Sequence, residues 1–358
     1  MHTSSALAVL SLLVLPLAAQ QSIVSPTIAA TTEGSTSSLF PFSAGTTYRY
    51  QQVHSDVGGS IKQIKELRFR ADGAPGTFGA TRTLDMELIM GVGRPFQSAG
   101  YGFDGNYIGT NTVVLTRQNV SLGPVGTVSG GPTAFSPALR LLLGAPFVYT
   151  GVGSLIWEAR IHGATQTAGT FPALDVETGV AVAGSGVSTG QGCIASGNTV
   201  PMSHGVQVAD NSGVLQLAFA LGNAPANSPT ILSFGIGNPN QPFAGLCSNL
   251  LTSFELVLPI GFSGATGSLP VAAATTYIFA NRFPLGGTLY SQMHALDVNR
   301  TDFYKVANSN GLRITVPASN PTRIVQATRV FHTTSTATEG FVLTASSHGY
   351  AVVTQFVY

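Results

Sequence analysis

The amino-acid sequence predicts an all-β protein of two antiparallel β-sandwich units, jelly-roll-like, joined by a linker rich in Gly, Ser and Thr. Three observations predict it. Apolar and polar residues alternate with a period of two in many short runs, so each run has one face for a core and one for water. Gly, Pro, Asn or Asp bounds each run, and these residues favour turns. Helical periodicity is scarce, because 42 Gly and 20 Pro interrupt most segments. Many short strands with regular turn signals are the pattern of stacked antiparallel sheets.

The elements follow in chain order. Residues 1–19 have the form of a secretory signal: an apolar run at 6–15, a break at Pro16 and the small residues Ala18 and Ala19 before a cleavage point. The run is shorter than the ~20 residues that span a bilayer. Residues 20–37, rich in Ser and Thr, read as an irregular lead-in. The first sandwich is expected over 38–165. Within it ELRFRADG sets Leu67 and Phe69 against Glu66, Arg68 and Arg70, and TLDMELIM sets Leu84, Met86, Leu88 and Met90 against Asp85 and Glu87. Residues 166–192, with ETGVAVAGSGVSTGQG, read as the linker. The second sandwich is expected over 193–317, where Leu215, Leu217, Phe219 and Leu221 share a face. Residues 318–358 contain the strand patterns GFVLTAS and GYAVVTQFVY, expected to complete the second sheet.

Composition narrows the function classes. The 358 residues carry a formal net charge of +1, and only 9% are charged. An ordinary globular chain has about 25%. A chain so nearly neutral draws neither nucleic acid nor anionic lipid by its overall field. No Lys or Arg occurs between Arg160 and Arg282, a surface that offers little to trypsin-like proteases outside the cell. The two cysteines, Cys193 and Cys247, lie too far apart for a CxxC zinc site. In an exported chain they can form a bridge worth roughly 3–4 kcal/mol, or they can be two separate buried thiols.

Two regions carry a resemblance. TYRYQQVHSDVGGSIKQIKELRFRADG at 47–73 and APFVYTGVGSLIWEARIHGA at 145–164 resemble patterns of secreted β-sandwich proteins of planctomycete bacteria. The second half is similar to a module that recurs at the C-terminal end of such proteins. Its elements here are Gly192-Cys193, Cys247, Leu289-Tyr290-Ser291-Gln292, Leu296-Asp297 and Ser309-Asn310-Gly311-Leu312. Trp157-Glu158 stands where the pattern usually has Asp. The resemblance implies export and a pair of sandwiches. It implies no activity.

Candidate sites are few. Asp297, Asn299 and Asp302 crowd oxygens into one short stretch, as a Ca²⁺ loop would. An EF-hand needs Gly at its sixth position and Glu at its twelfth. Counted from Asp297, those positions hold Asp302 and Asn308, so the stretch reads first as a connection between strands. A single Ca²⁺ on Asp297, Asn299 and Asp302 is the alternative. In GYGFDGNYIG, Tyr101, Phe103 and Tyr107 offer rings that could stack on sugars, and Asp104 and Asn106 could bind hydroxyls. Catalytic motifs are missing. Ser203 and His204 are neighbours in sequence, which on a strand points them apart, and no G-x-S-x-G elbow is present. Asp85 and Glu87 share one strand face and could serve a sugar, but they fit a solvated face equally well. GSGVSTG at 184–190 has no helix after it to receive phosphate. Lys62, Lys65, Arg68 and Arg70 read as a solvated strand face and not as a nucleic-acid stripe. The sequons at Asn119 and Asn299 matter only in a eukaryotic secretory pathway.

The expectation is an exported, extracellular or cell-surface protein without a transmembrane helix. Its expected role is non-catalytic: structural, adhesive or in contact with extracellular glycans or other surface proteins. A secreted hydrolase with surface carboxylates is one alternative. An outer-membrane β-barrel is the other, suggested by Tyr350, Val352, Phe356 and Tyr358 on one face of the last strand pattern.

Overall fold

Leu84, Met86, Leu88 and Met90 point the same way along the strand Arg82–Gly93, and all four are fully buried. The fold is described from a computed structural model over residues 20–211, 214–269, 276–280, 283–319, 322–342 and 349–358. The expected signal, residues 1–19, and residues 343–346 of the GFVLTAS pattern lie outside the described residues. The protein is all-β, and its strands pair antiparallel.

Arg82–Gly93 belongs to a six-stranded sheet of order Phe341–Val342, Ala327–His332, Tyr48–His54, Ser154–Gln166, Arg82–Gly93 and Thr112–Leu122. A four-stranded sheet runs Ser22–Ser25, Thr354–Val357, Lys62–Phe69 and Arg140–Tyr149. A third has the order Thr36–Ser38, Leu174–Thr178 and Tyr350–Val352. All three contribute to one core, which includes Tyr50, Leu67, Phe69, Met86, Trp157, Val176, Val352 and Phe356. Trp157 joins the layers. Its indole stacks on Tyr50 at 5.4 Å and meets Phe69 edge-on at 5.5 Å. Burying each side chain of this size stabilises the fold by about 1.5–3 kcal/mol.

A separate core lies between two further sheets. One has the order Ser185–Thr189, Val306–Thr315, Thr288–Leu296, Pro229–Gly235 and Leu256–Phe262. The other has the order Ala181–Ala183, Ser203–Asn211, Val214–Gly222 and Thr276–Ala280. Leu217, Phe219, Leu232, Met293 and Ile314 fill the space between them.

Three boundaries differ from expectation. The C-terminal strands complete the sheets of the first half, not the second. Ala327–His332 pairs with Tyr48–His54, and Thr354–Val357 lies between Ser22–Ser25 and Lys62–Phe69. The apolar row of the last strands needs a hydrophobic partner surface, and the core around Trp157 provides it. Residues 166–192 are not a linker. They hold Leu174–Thr178 in the first half and the edge strands Ala181–Ala183 and Ser185–Thr189 in the second. The lead-in is partly ordered, with strands Ser22–Ser25 and Thr36–Ser38 and a 3₁₀ turn at Thr27–Ala30.

Every sheet among the described residues is open, with two end strands. Tyr350, Val352 and Phe356 of the last strands are buried in the first core, and Tyr358 is half-buried. No helix among the described residues is long and apolar enough to cross a membrane.

Candidate functional site

The loop 101–107 is fastened to the outer face of the six-stranded sheet. Strand alternation places Arg49 and Gln51 of Tyr48–His54 beside Glu158 and Arg160 of Ser154–Gln166. Arg49 is 4% exposed and Glu158 is fully buried. Arg49 donates through Nε to Glu158 Oε1 at 2.8 Å and through an NH₂ group to Asp104 Oδ1 at 2.7 Å. Arg160 donates to Glu158 Oε1 at 2.7 Å. Gln51 donates to the Phe103 carbonyl at 3.0 Å and to Glu158 Oε2 at 2.9 Å. Asn106 donates to Gln51 at 2.8 Å, and the Tyr107 hydroxyl donates to Glu158 at 3.1 Å. Phe103 is fully buried beneath the Arg49 guanidinium, 4.3 Å from its ring centre. Burial pushes the Tyr107 phenol up.

This corrects the expected sugar-stacking surface. Phe103, Asn106 and Tyr107 point into the protein. Only Tyr101 and Asp104 face solvent, and Asp104 is paired with Arg49. The carboxylates of the neighbouring strand are also paired. Asp85 accepts both Nε and an NH₂ group of Arg117, and the hydrogen bonds from Arg117 hold its carboxyl below the usual range. Glu87 lies 3.5 Å from Arg160 and 3.6 Å from His162. The basic residues at 62–70 do not share a solvated face either. Lys62 is buried with its ammonium on the Gly58 and Ser60 carbonyls, and Arg70 is buried on Asp175.

Three residues meet that no sequence motif joins: Ser25, His54 and Asp56. The Trp157 indole N–H, which can only donate, points at His54 Nε2 at 3.0 Å. His54 therefore carries its proton on Nδ1 and donates to Ser25 Oγ at 2.7 Å. The Ser25 hydroxyl in turn donates to Asp56 Oδ1 at 2.5 Å. A nucleophilic serine needs the opposite polarity, with histidine accepting the serine proton. His54 is fully buried, and burial pushes its imidazole down to about 3. Asp56 also accepts the Thr27 backbone N–H at 2.9 Å. The group ties the N-terminal segment to the sheet.

The second half repeats this economy of polar groups. His204 lies between the Asn310 carbonyl at 2.9 Å and Ser291 Oγ at 3.0 Å, and burial pushes it down to about 3. Its neighbour Ser203 is exposed, on the opposite strand face. His294 sits between Asn308 and Ser233, both at 2.8 Å, and burial lowers it too. Ser185–Thr189, within GSGVSTG, is a strand edge with no helix after it.

Two of the residues expected to hold Ca²⁺, Asp297 and Asp302, have protein partners. Asp297 is buried and accepts the Ser196 N–H at 2.7 Å. Asp302 accepts Arg300 Nε at 2.6 Å, and Asn299 is exposed. Backbone bonds from Asp297 N to Lys305 O and from Arg300 N to Asp297 O fold the stretch as a connection between Thr288–Leu296 and Val306–Thr315. Another acidic group, absent from the sequence reading because its members come from three distant segments, is Glu33, Asp72 and Asp175. Their oxygens lie within 4.8 Å of one another. Protein donors reach it already: Arg70 and the Gly34 N–H bind Asp175, and the Gly73 N–H binds Glu33.

The tip of the Asp297–Lys305 connection carries a feature that the sequence pattern did not single out. Phe303 is 84% exposed, Tyr304 44% and Phe243 48%. The Phe303 and Tyr304 rings meet edge-on at 5.0 Å, and Tyr304 meets Phe243 at 5.8 Å. Two distant segments thus form one exposed aromatic cluster. Its scaffold is covalent: Cys193 and Cys247 are bridged, with Cα atoms 5.7 Å apart. The Cys247 segment is also held at its base, where Gln292 accepts from Leu251 N at 3.0 Å and donates to Asn249 O at 3.1 Å. Gly245, at φ +87°, lets the segment turn, and a Cβ there would meet the Tyr304 ring at 3.1 Å. The only sequence signals were the adjacent Phe303 and Tyr304 at a turn and Phe243 close to Cys247.

Comparison with family models, with curated proteins and with solved structures returns no match for this chain.

Proposed function

We propose that the protein is an exported, non-catalytic pair of antiparallel β-sandwich units, jelly-roll-like, that acts at the cell surface or outside the cell in structure, adhesion or carbohydrate contact. One observation carries this reading: the polar groups best suited to chemistry are locked into structural hydrogen bonds. His54 and His204 are buried and pushed down to about 3, so both are neutral and weakly basic at neutral pH. Glu158 lies between two arginines. The disulfide supports an oxidising compartment. The resemblance to secreted planctomycete proteins agrees with this, and a Ca²⁺ on Asp297, Asn299 and Asp302 would have to compete with the Ser196 N–H and Arg300 that the two carboxylates already hold.

Expression of the full chain, cell fractionation and assay against chromogenic glycoside, ester and peptide substrates, with and without Ca²⁺, test the reading. The expected product lacks its leader, lies outside the inner membrane and turns over none of the substrates. Turnover abolished by Glu87→Gln or Glu158→Gln would replace it with a secreted hydrolase. A cytosolic product with an intact leader would remove the export.

A further inference from the structure

We infer that Glu177 and Arg323 form an acid-operated latch at the junction of the two halves, closed while the Glu177 carboxylate is charged and released when it takes up a proton. The chain passes between the halves twice, from Leu174–Thr178 to Ala181–Ala183 and from Val306–Thr315 back to Ala327–His332. The two passages are tied to each other. The Val180 N–H donates to the Arg323 carbonyl at 3.1 Å, and the Arg323 guanidinium reaches Glu177 Oε1 at 3.3 Å. One side chain from each passage thus closes the same short stretch that a backbone bond already joins.

Three features make the pair respond to protons. Glu177 is fully buried, and a carboxylate taken out of water resists its charged form. Burial pushes its carboxyl up; Arg323, the Ser35 hydroxyl and the Thr178 N–H pull the other way, and the like charge of Asp175 on the same strand face adds to the rise. The second feature is the number of ionic partners. Among the described residues Arg323 is the cation paired with Glu177, so protonation removes the ionic tie. The buried Glu158, by contrast, is held by Arg49, Arg160 and Gln51 together. The third is the state of Arg323 after release. It is 36% exposed and turns to water, so no cation is left buried and unpaired. The sign separates this device from acid unfolding. A carboxyl raised in the fold binds its proton more readily there than in the unfolded chain, so its protonation adds to global stability as pH falls. The junction loosens while the cores stay packed.

The test is amide hydrogen exchange on the full mature protein with its disulfide intact, at pH 7.5 and pH 5, corrected for the intrinsic pH dependence of the amide rate. Buried histidines such as His54 weaken the whole fold in acid, so the readout is the protection of Val180 relative to Arg82–Gly93 and Thr288–Leu296, one strand from each core. That ratio should fall at least about tenfold from pH 7.5 to pH 5, as a local opening requires. Glu177→Gln carries no charge at either pH. It should show the low ratio at both and melt no lower than the unsubstituted protein. Arg323→Gln should also lower the ratio at pH 7.5. A ratio that does not change with pH overturns the latch. So does a pH dependence that survives in Glu177→Gln, because another group would then be titrating. Loss of protection in equal proportion at Val180 and in both reference strands also overturns it, since the acid effect would then be global unfolding.

Discussion

The indole N–H of Trp157 points at Nε2 of His54 at 3.0 Å, which fixes the imidazole proton on the other nitrogen. That bond makes Ser25, His54 and Asp56 a fastener. It also makes the protein sensitive to acid. Free imidazole titrates near pH 6.5, whereas burial pushes His54 down to about 3. Between these values the unfolded chain takes up a proton that the folded chain does not, so stability falls as pH falls. The contribution is complete above about pH 6.5 and is lost progressively toward about pH 3. His204 has the same sign, while burial raises Asp56 and opposes the trend in the carboxylate range. Denaturant unfolding at pH 7, 6 and 5 should show stability falling by on the order of 1 kcal/mol per unit for each histidine. His54→Gln should flatten that slope. A slope identical in the two proteins would contradict the assignment.

Arg49 and Glu158 predict a second behaviour. Removing one partner of a buried ion pair leaves an uncompensated charge, at a cost of about 3–5 kcal/mol when nothing else compensates. Glu158 keeps Arg160. Arg49→Met should therefore cost about 2–3 kcal/mol. It should also release loop 101–107, seen as faster hydrogen exchange there than in Arg82–Gly93. Unchanged exchange in the loop would mean that Arg49 is not what holds it.

The disulfide makes a third prediction. Cys247→Ser should cost about 2–4 kcal/mol. Proteolysis should then cut first within the Phe243–Leu251 segment, where the bridge is lost. Mass spectrometry of the unreduced secreted protein should find no free thiol, and two free thiols would contradict the bridge.

Phe356 supplies a fourth. Its ring is fully buried in the first core, so Phe356→Ala should cost about 3–5 kcal/mol. Exchange should quicken in Ser22–Ser25 and Lys62–Phe69, its pairing partners, and stay slow in Thr288–Leu296. The reverse pattern would restore the C-terminal strands to the second half.

These predictions mark what the sequence could and could not reveal. The Leu84–Met90 row was legible because period-two alternation is local and identifies its own buried face. The partner of a strand is not local. The row ending in Phe356 needs an apolar surface, but alternation cannot say which, and the surface lies at Leu67 and Trp157. Ser185–Thr189 was hidden for another reason. It is an edge strand, mostly exposed, whose backbone pairs while its small polar side chains look like linker. Phe103 and Tyr107 looked available in a glycine-rich loop because Arg49 and Glu158, which turn them inward, lie far off in sequence. Phe243 and Tyr304 are brought together only by the folded turn and the bridge at Cys247.

The tautomer and charge of His54, read from ¹⁵N NMR of histidine-labelled protein between about pH 8 and 5, test the structural assignment of these polar groups most directly. The expected spectrum shows a proton on Nδ1 and no titration across that range. A proton on Nε2, or an imidazole that charges near pH 6.5, would mean that His54 is open to solvent and able to act as a base.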